Sequence, residues 1–408
     1  MSGNKDINRL QSRLKLNTFK LESLLEITIA INNNVSKDEL FSLYQSILRE
    51  QLNIGKLILI SYNGRWNTEV QYGFDNVNFN IDFETDLLRF KEISHVSGND
   101  SLKGIDTVIP VYHKDLPLAY VLIGDYDEEK IEISPTIKHL PFIQTLTNLI
   151  VVAIENKRLA KESLIQSELK KEMEFAREMQ NMLFPTQLPE LEELNLSAIY
   201  LPHHEVGGDY YDFVQINNNE IGFCMADVSG KGVSAALLMS NFQANFRALI
   251  GRANSLTELV LDLNKSVLDI AKGERFITFF VGRFNTVTRV LNYVNAAHIP
   301  PLLSHNGFVN GLRTGCTGLG MLDEIDCISE GFVKIEPQSY IICYTDGIFD
   351  LVNSNREQYG ENGLRKFLEN QVFSDSNHLN SLLFEELENF KEGHQYPDDV
   401  AILTLAIA

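Results

Sequence analysis

Acidic residues set beside glycines, or at the ends of apolar runs, recur through the second half of this chain. They are Asp209 after Gly207-Gly208, Asp227 within GFCMADVSGKGVSAA (222–236), Asp346 before Gly347, and the pair Asp398-Asp399. Asp227 follows IGFCMA and Asp346 follows YIICYT, while Asp398 and Asp399 precede VAILTLAI. Taken singly, each is an ordinary solvated turn residue. If the last apolar run is a strand lying antiparallel beside the others, the acids meet at one edge of a sheet, and the Gly-Gly turn brings Asp209 to the same edge. Carboxylates crowded in this way raise one another's pKa, a conflict that divalent cations remove. Hard oxygens with no His or Cys partner select Mg²⁺ or Mn²⁺ over zinc. Two such ions ~4 Å apart would hold and acidify a shared water and neutralise a phosphoryl group under in-line attack. The chemistry expected is metal-assisted phosphoester hydrolysis.

Other residues with chemical potential fit less well. His298 precedes Ile299 and two prolines and is expected to stabilise a turn, with donation to a phosphate as the alternative. His203-His204 resembles a metal pair, but adjacent side chains of a strand diverge, so an exposed loop is expected. Gly230-Lys231-Gly232-Val233-Ser234-Ala235 matches a dinucleotide fingerprint, yet two helical segments follow it where a parallel strand is required. There is no G-x-x-x-x-G-K-[ST] loop, and none of the four cysteines has the Arg six residues on that a thiol phosphatase needs.

The chain that must position these acids has 408 residues, 44% of them apolar and 22% charged, which predicts a globular protein of two or more domains. Its formal net charge of −20 disfavours nucleic acid and anionic membranes as partners. No apolar run reaches the ~18–20 residues of a membrane span, the N-terminus lacks a signal-peptide core, and the cysteines have no C-x-x-C spacing. A cytoplasmic protein with reduced, mostly buried thiols is expected.

Apolar periodicity predicts helices over 18–33 and 37–52, then strands at 56–62, 69–74, 107–112 and 118–125, the last two joined by a hairpin through 113–117. From about Pro135 to Phe184 the pattern is helical, and some 40 helical residues extend roughly 60 Å at ~1.5 Å each. Ile165, Leu169, Ala176, Met179 and Leu183 follow near-heptad spacing, which predicts a dimeric coiled-coil linker, with an amphipathic helix packing on its own chain as the alternative. The remainder reads as α/β. Strands are expected at 194–201, 220–226, 276–284, 289–295, 300–304, 331–336, 339–345 and 400–407, with helices at 233–251, 256–273, 363–372 and 377–391.

The N-terminal order of helices followed by an antiparallel sheet resembles a GAF-type sensor domain, with a small-molecule ligand or a filled core as the alternatives. The C-terminal motifs GGDYYDF (207–213), DVSGKGVSAALLM (227–239), NAAHIPPLL (295–303), TDGIFD (345–350) and DDVAILTL (398–405) resemble, in order, those of PPM-type serine/threonine phosphatases of the SpoIIE/RsbU class. The resemblance implies a multidomain α/β architecture: a GAF-like domain (18–134), a helical linker (135–185) and a PPM β-sandwich flanked by helices (186–408). It implies two Mn²⁺ or Mg²⁺ ions. Asp227 matches the bridging ligand, the Val228 carbonyl a further contact, and Asp346 a second-metal ligand. Asp398 matches the terminal ligand, with Asp399 as its neighbour, and Asp209 the acid that acts through water. Asp212 is expected to be structural. Ala297 stands where the family carries glycine. The implied substrate is a phosphorylated regulatory protein, typically a STAS-type anti-sigma-factor antagonist; a homodimer through the linker helix and sensor domain is expected from the heptad-like spacing. A scaffold that keeps the fold without the chemistry is the alternative.

Overall fold

The computed structural model describes residues 2–74, 83–96, 102, 104–113, 115–124, 139–185 and 193–408. Lys114 of the expected hairpin and residues 135–138 of the expected linker lie outside the described residues, as do residues 186–192 at the start of the expected phosphatase region. The chain divides into two compact units, Met1–Ser167 and Glu168–Ala408.

In the first unit, helices α1 (Ser2–Asn32) and α2 (Lys37–Ser46) precede an antiparallel sheet of β1 (Leu57–Tyr62), β2 (Trp66–Tyr72), β3 (Ser94–His95), β4 (Thr107–His113) and β5 (Leu116–Ile123), in the order β2-β1-β5-β4-β3. A capping box starts α2: the Glu39 amide donates to the Ser36 hydroxyl and the Ser36 amide to the Glu39 carboxylate. Alternation along β1 sends Leu57 and Leu59 into the core shared with the helices, and Ile58 and Ile60 into a second cluster with Phe74, Leu87 and Tyr120. Helix α1 begins sixteen residues before the expected start at 18. Ile7, Leu10 and Leu14 in that added part are more than half exposed, so no buried stripe marked it in the sequence. The long helix α3 (Leu140–Asn181) has Ile165, Leu169 and Met179 exposed, whereas Leu183, the last residue of the expected seam, lies beyond the helix and packs against the core of the second unit.

The second unit has two five-strand sheet paths. One contains β7 (Tyr210–Asn217), β8 (Glu220–Val228), β9 (Ile277–Asn285), β10 (Val290–Ala296) and β13 (Gly315–Cys316), in the order β13-β10-β9-β8-β7, with β14 (Gly331–Lys334) also paired to β10. The other contains β6 (Leu194–Leu201), β11 (Leu302–His305), β12 (Phe308–Gly311), β15 (Ser339–Tyr344) and β16 (Val400–Ile407), in the order β12-β11-β15-β16-β6. Helices α4 (Val233–Leu249) and α5 (Leu256–Ala271) pack with the first sheet; α7 (Gly360–Asn370) and α8 (Ser376–Phe390) pack with the second. Period-two alternation sorts β16: Ala401, Leu403 and Leu405 join the core between the sheets, and Val400 and Ile402 join the core under α7 and α8. Strand β8 is covered on both faces, so it reads as an unbroken apolar run rather than an alternating one. Helix α5 buries Leu256, Leu259, Val260, Leu263 and Val267 at helical spacing, and the Ser255 hydroxyl accepts the Glu258 amide at its start.

The expectation that the acids share one sheet edge is corrected here. Asp227 belongs to the first sheet, whereas Asp346 and Asp398-Asp399 flank neighbouring strands of the second, where Tyr344 pairs with Ile402. Asp209 lies on the connection from β6 to β7, which crosses from one sheet to the other. The acids converge because both sheets end there, not because one strand order gathers them.

Candidate functional site

Asp227 sits inside the ladder, opposite Thr278, and Val228 opposite Ile277, so β8 ends two residues later than the sequence indicates. Past it, Gly230 (φ +90°) and Gly232 (φ +75°) bring the chain round into α4 with Lys231 between them. The Arg275 guanidinium donates to the Ser229 carbonyl (2.5 Å) and the Ser234 hydroxyl (2.7 Å), and the Phe276 amide donates to the Ser229 hydroxyl (2.9 Å). This arginine near the pocket is therefore engaged in holding the turn.

From the opposite sheet, Thr345 leads into the one-turn helix α6 (Asp346–Phe349), and its hydroxyl accepts the Ala401 amide at 2.9 Å. A Cβ on Gly347 would lie 2.0 Å from the Asp399 carbonyl oxygen, so only glycine lets this turn lie against the start of β16. The loop before Asp209 is fitted just as closely. Asp399 accepts the His203 amide on Oδ1 (2.7 Å) and the Gly208 amide on Oδ2 (2.9 Å), and a Cβ on Gly207 would lie 2.2 Å from that Oδ2. The last turn of α3 reaches the same loop: Gln180 Nε2 donates to the Gly207 carbonyl (2.7 Å) and its Oε1 accepts the Gly207 amide (3.0 Å).

These elements surround a cavity of about 370 Å³ lined by Asp227, Lys231, Asp346, Asp398 and Asp399 together with the Gly207-Gly208 backbone. Asp209 is buried, and its Oδ2 accepts no hydrogen bond among the described residues. Burial, then the charges of Asp227 and Asp399, push its carboxyl well above the usual carboxylate range. Burial followed by Asp346 and Asp398 raises Asp227 to about 7, with a hydrogen bond to Asp209 offsetting part of the rise. Burial, then Asp398 and Asp350, raises Asp346 to about 6. A Cβ on Gly208 would lie 2.9 Å from the Val228 carbonyl oxygen, which places that carbonyl beside the loop carrying Asp209.

The expected residues thus meet, with different degrees of freedom. Asp399 spends both oxygens on backbone amides and staples β16 to the β6–β7 loop. Asp398 accepts the Asp399 amide on Oδ1 (2.9 Å) and the Lys231 ammonium on Oδ2 (2.6 Å). Asp212 stands apart, buried and held by Tyr210, the Phe213 amide and a two-pronged Arg247 pair. His203 and His204 are exposed, and His204 lies at the cavity's edge. His298 is buried behind Thr278, sharing a 2.9 Å hydrogen bond through Nδ1, and burial lowers its pKa to about 4; it is a neutral core residue. Ala297 takes the left-handed conformation (φ +55°), so the turn keeps its tight form without glycine.

Sequence reasoning assigned no role to Gln180, Thr345 or Arg275, whose partners are backbone groups and, for Arg275, also the Ser234 hydroxyl. Lys231 was visible in its Gly-Lys-Gly turn, but nothing in the sequence pairs it with Asp398. Among the four free cysteines, Cys224 and Cys343 are buried, Cys316 is half-buried and Cys327 is exposed. A larger cavity of about 1120 Å³ lies at the far ends of β6 and β16, beside Leu194 and Ile407, away from the acids.

The acids are donors suited to hard divalent cations. Asp209 Oδ2 is a buried oxygen with no hydrogen-bond partner among the described residues, and burial followed by neighbouring carboxylates raises both Asp209 and Asp227. Among the described residues no three His, Cys or carboxylate side chains are already gathered into a metal cage.

Residues 217–408 match the family model described as Stage II sporulation protein E (SpoIIE). The chain is 28% identical over 244 residues to the phosphoserine phosphatase RsbU of Bacillus subtilis, an alignment covering 59% of this chain and 71% of RsbU. It is 25% identical over 262 residues to protein IcfG of Synechocystis sp., covering 57% of this chain but 41% of that protein. The fold matches the SiaA-PP2C domain of Pseudomonas aeruginosa with a TM-score of 0.54 at 18% identity, over 60% of this chain and 99% of that domain. The two-sheet unit has the PP2C-like phosphatase fold. Within that class, residues 217–408 resemble the SpoIIE-type PP2C phosphatases, by the family model and by the likeness to RsbU.

Proposed function

We propose that this chain is a metal-dependent protein serine/threonine phosphatase acting on a phosphorylated regulatory protein. The observation that carries the reading is the convergence of Asp209, Asp227, Asp346 and Asp398 from two sheets on one end of the sandwich, with Asp227 and Asp346 both raised by burial and then by the neighbouring acids. Asp227, Asp346 and Asp398, with Asp209 behind them and the Val228 carbonyl beside them, would hold two Mn²⁺ or Mg²⁺ ions. When bound, the ions supply an activated water and positive charge for the phosphoryl oxygens. The chain's own residues do the rest. Gly207 and Gly347 allow the two acid-bearing turns to approach, Asp399 ties one to the other's strand, and Arg275 fixes the turn after Asp227.

The likeness to a phosphoserine phosphatase of Bacillus subtilis supports phosphoserine as the substrate class; phosphothreonine and a STAS-type antagonist follow from the motif resemblance alone. Residues 18–134 act as a GAF-like sensor, a reading supported by their helices-then-antiparallel-sheet order. Residues 135–185 link it to the phosphatase domain (186–408) in a cytoplasmic homodimer. No helix among the described residues is long and apolar enough to cross a membrane. Control through the linker is supported by Gln180, which ends the long helix on the Gly207 loop.

The test is release of phosphate from a phosphoserine protein substrate by the full chain with Mn²⁺, with Mg²⁺ and with EDTA. Metal-dependent turnover is the expected result. Inactivity under all three conditions would leave the non-catalytic scaffold.

A further inference from the structure

Lys231 is the cation of the acidic pocket. Its Nζ lies 2.6 Å from Asp398 Oδ2 and 3.3 Å from the Pro397 carbonyl, and the side chain remains about half exposed at 48%. Asp398 Oδ1 is already taken by the Asp399 amide at 2.9 Å, so the ammonium closes the remaining oxygen of that carboxylate. The ammonium's charge also reaches Asp346, whose raised carboxyl it partly relieves. The backbone around the lysine is fixed: Arg275 grips Ser229 and Ser234, and Gly230 packs so closely on that guanidinium that a Cβ would lie 1.8 Å from it. Lys231's own flexible side chain is therefore the part of the turn free to leave.

Resting on the metal-dependent reading of the site, we infer that Lys231 is a resident counter-ion that occupies Asp398 and competes with a divalent cation for the same oxygen. A solvated lysine pair is weak, so it yields when a cation gathers several carboxylates at once. Its presence has two effects: it offsets part of the charge crowding of the metal-free pocket, and it lowers the pocket's affinity for metal. Asp209 Oδ2, buried and unpartnered in the same acid cluster, is an oxygen the lysine does not satisfy.

The test is direct binding of Mn²⁺ to the full chain, by calorimetry or electron paramagnetic resonance, for wild type, Lys231→Gln, Asp398→Asn and the double variant, each checked for folding by circular dichroism. Lys231→Gln should bind Mn²⁺ about 3- to 10-fold more tightly than wild type. Asp398→Asn should bind more weakly, and adding Lys231→Gln to it should restore nothing, because the oxygen in contention is gone. Unchanged or weaker binding by Lys231→Gln would overturn the inference. So would a gain that persists in the double variant, which would mark a general charge effect instead of occupancy of Asp398. A wild-type chain that takes up no Mn²⁺ would sink the metal-dependent reading itself; one that binds normally while Lys231→Gln does not tighten sinks only the competition.

Discussion

Gln180 holds Gly207 by both sides of its backbone, donating to the carbonyl at 2.7 Å and accepting the amide at 3.0 Å. The pair joins residues 27 positions apart and is buried, with Gly207 two residues from Asp209. Gln180→Ala would strand two buried backbone groups, each costing ~1–3 kcal/mol. The expected outcome is a loss of about 2–4 kcal/mol in urea denaturation and reduced metal-dependent turnover. Stability within ~0.5 kcal/mol of wild type would show that the loop holds its shape without the helix.

Asp227 and Asp346 are expected to be indispensable for turnover and dispensable for folding. Replacing either with Asn should lower kcat about 1000-fold or more, since charge stabilisation at the phosphoryl group is lost. The circular dichroism spectrum should be unchanged. Near-normal turnover in Asp227→Asn would remove it from the reaction.

The same acid makes a pH-dependent demand on the metal-free fold. Its folded pKa of about 7 lies above the ordinary carboxylate value of 3.8, so the native state keeps a proton that the unfolded chain has released. Its contribution to stability is fully present below about pH 4 and is lost as pH rises towards 7. His298, lowered to about 4, works in the opposite direction between about pH 4 and its ordinary value of 6.5, so the comparison must be a difference. In EDTA, the stability of Asp227→Asn relative to wild type should therefore increase by at least ~1 kcal/mol between pH 5 and pH 7.5. Urea midpoints across that range measure it; a flat or falling difference would contradict the shift.

Ala297 pays a backbone cost that glycine would not. At φ +55° its Cβ is strained by ~1 kcal/mol, partly balanced by the lower entropy of the unfolded alanine chain. Ala297→Gly is expected to stabilise the fold by about 0.5–1 kcal/mol in thermal or urea unfolding. A clear loss of stability would mean that the alanine methyl packs favourably enough to outweigh its strain.

The sequence alone determined most elements of the two-sheet unit and its acids, though not β7, β12 or β13. Apolar runs such as IGFCMA, YIICYT and VAILTLAI mark β8, β15 and β16 because buried strands need little else to be legible. Strand β6 keeps the expected bounds, Leu194–Leu201, while β8 runs two residues further. Asp-Gly and Gly-Gly pairs marked the turns because only glycine fits where a Cβ would meet the backbone or a carboxylate. Tertiary structure decided how those acids meet and what each is free to do. Two sheets deliver them to a common end. Asp399 gives both oxygens to backbone amides, Asp398 is shared with Lys231, and Gln180 enters from a helix that a sequence reading separates from the phosphatase motifs. Such partners are chosen by distance in space between backbone groups and side chains, and the chemical types of neighbouring residues along the chain carry no record of that distance.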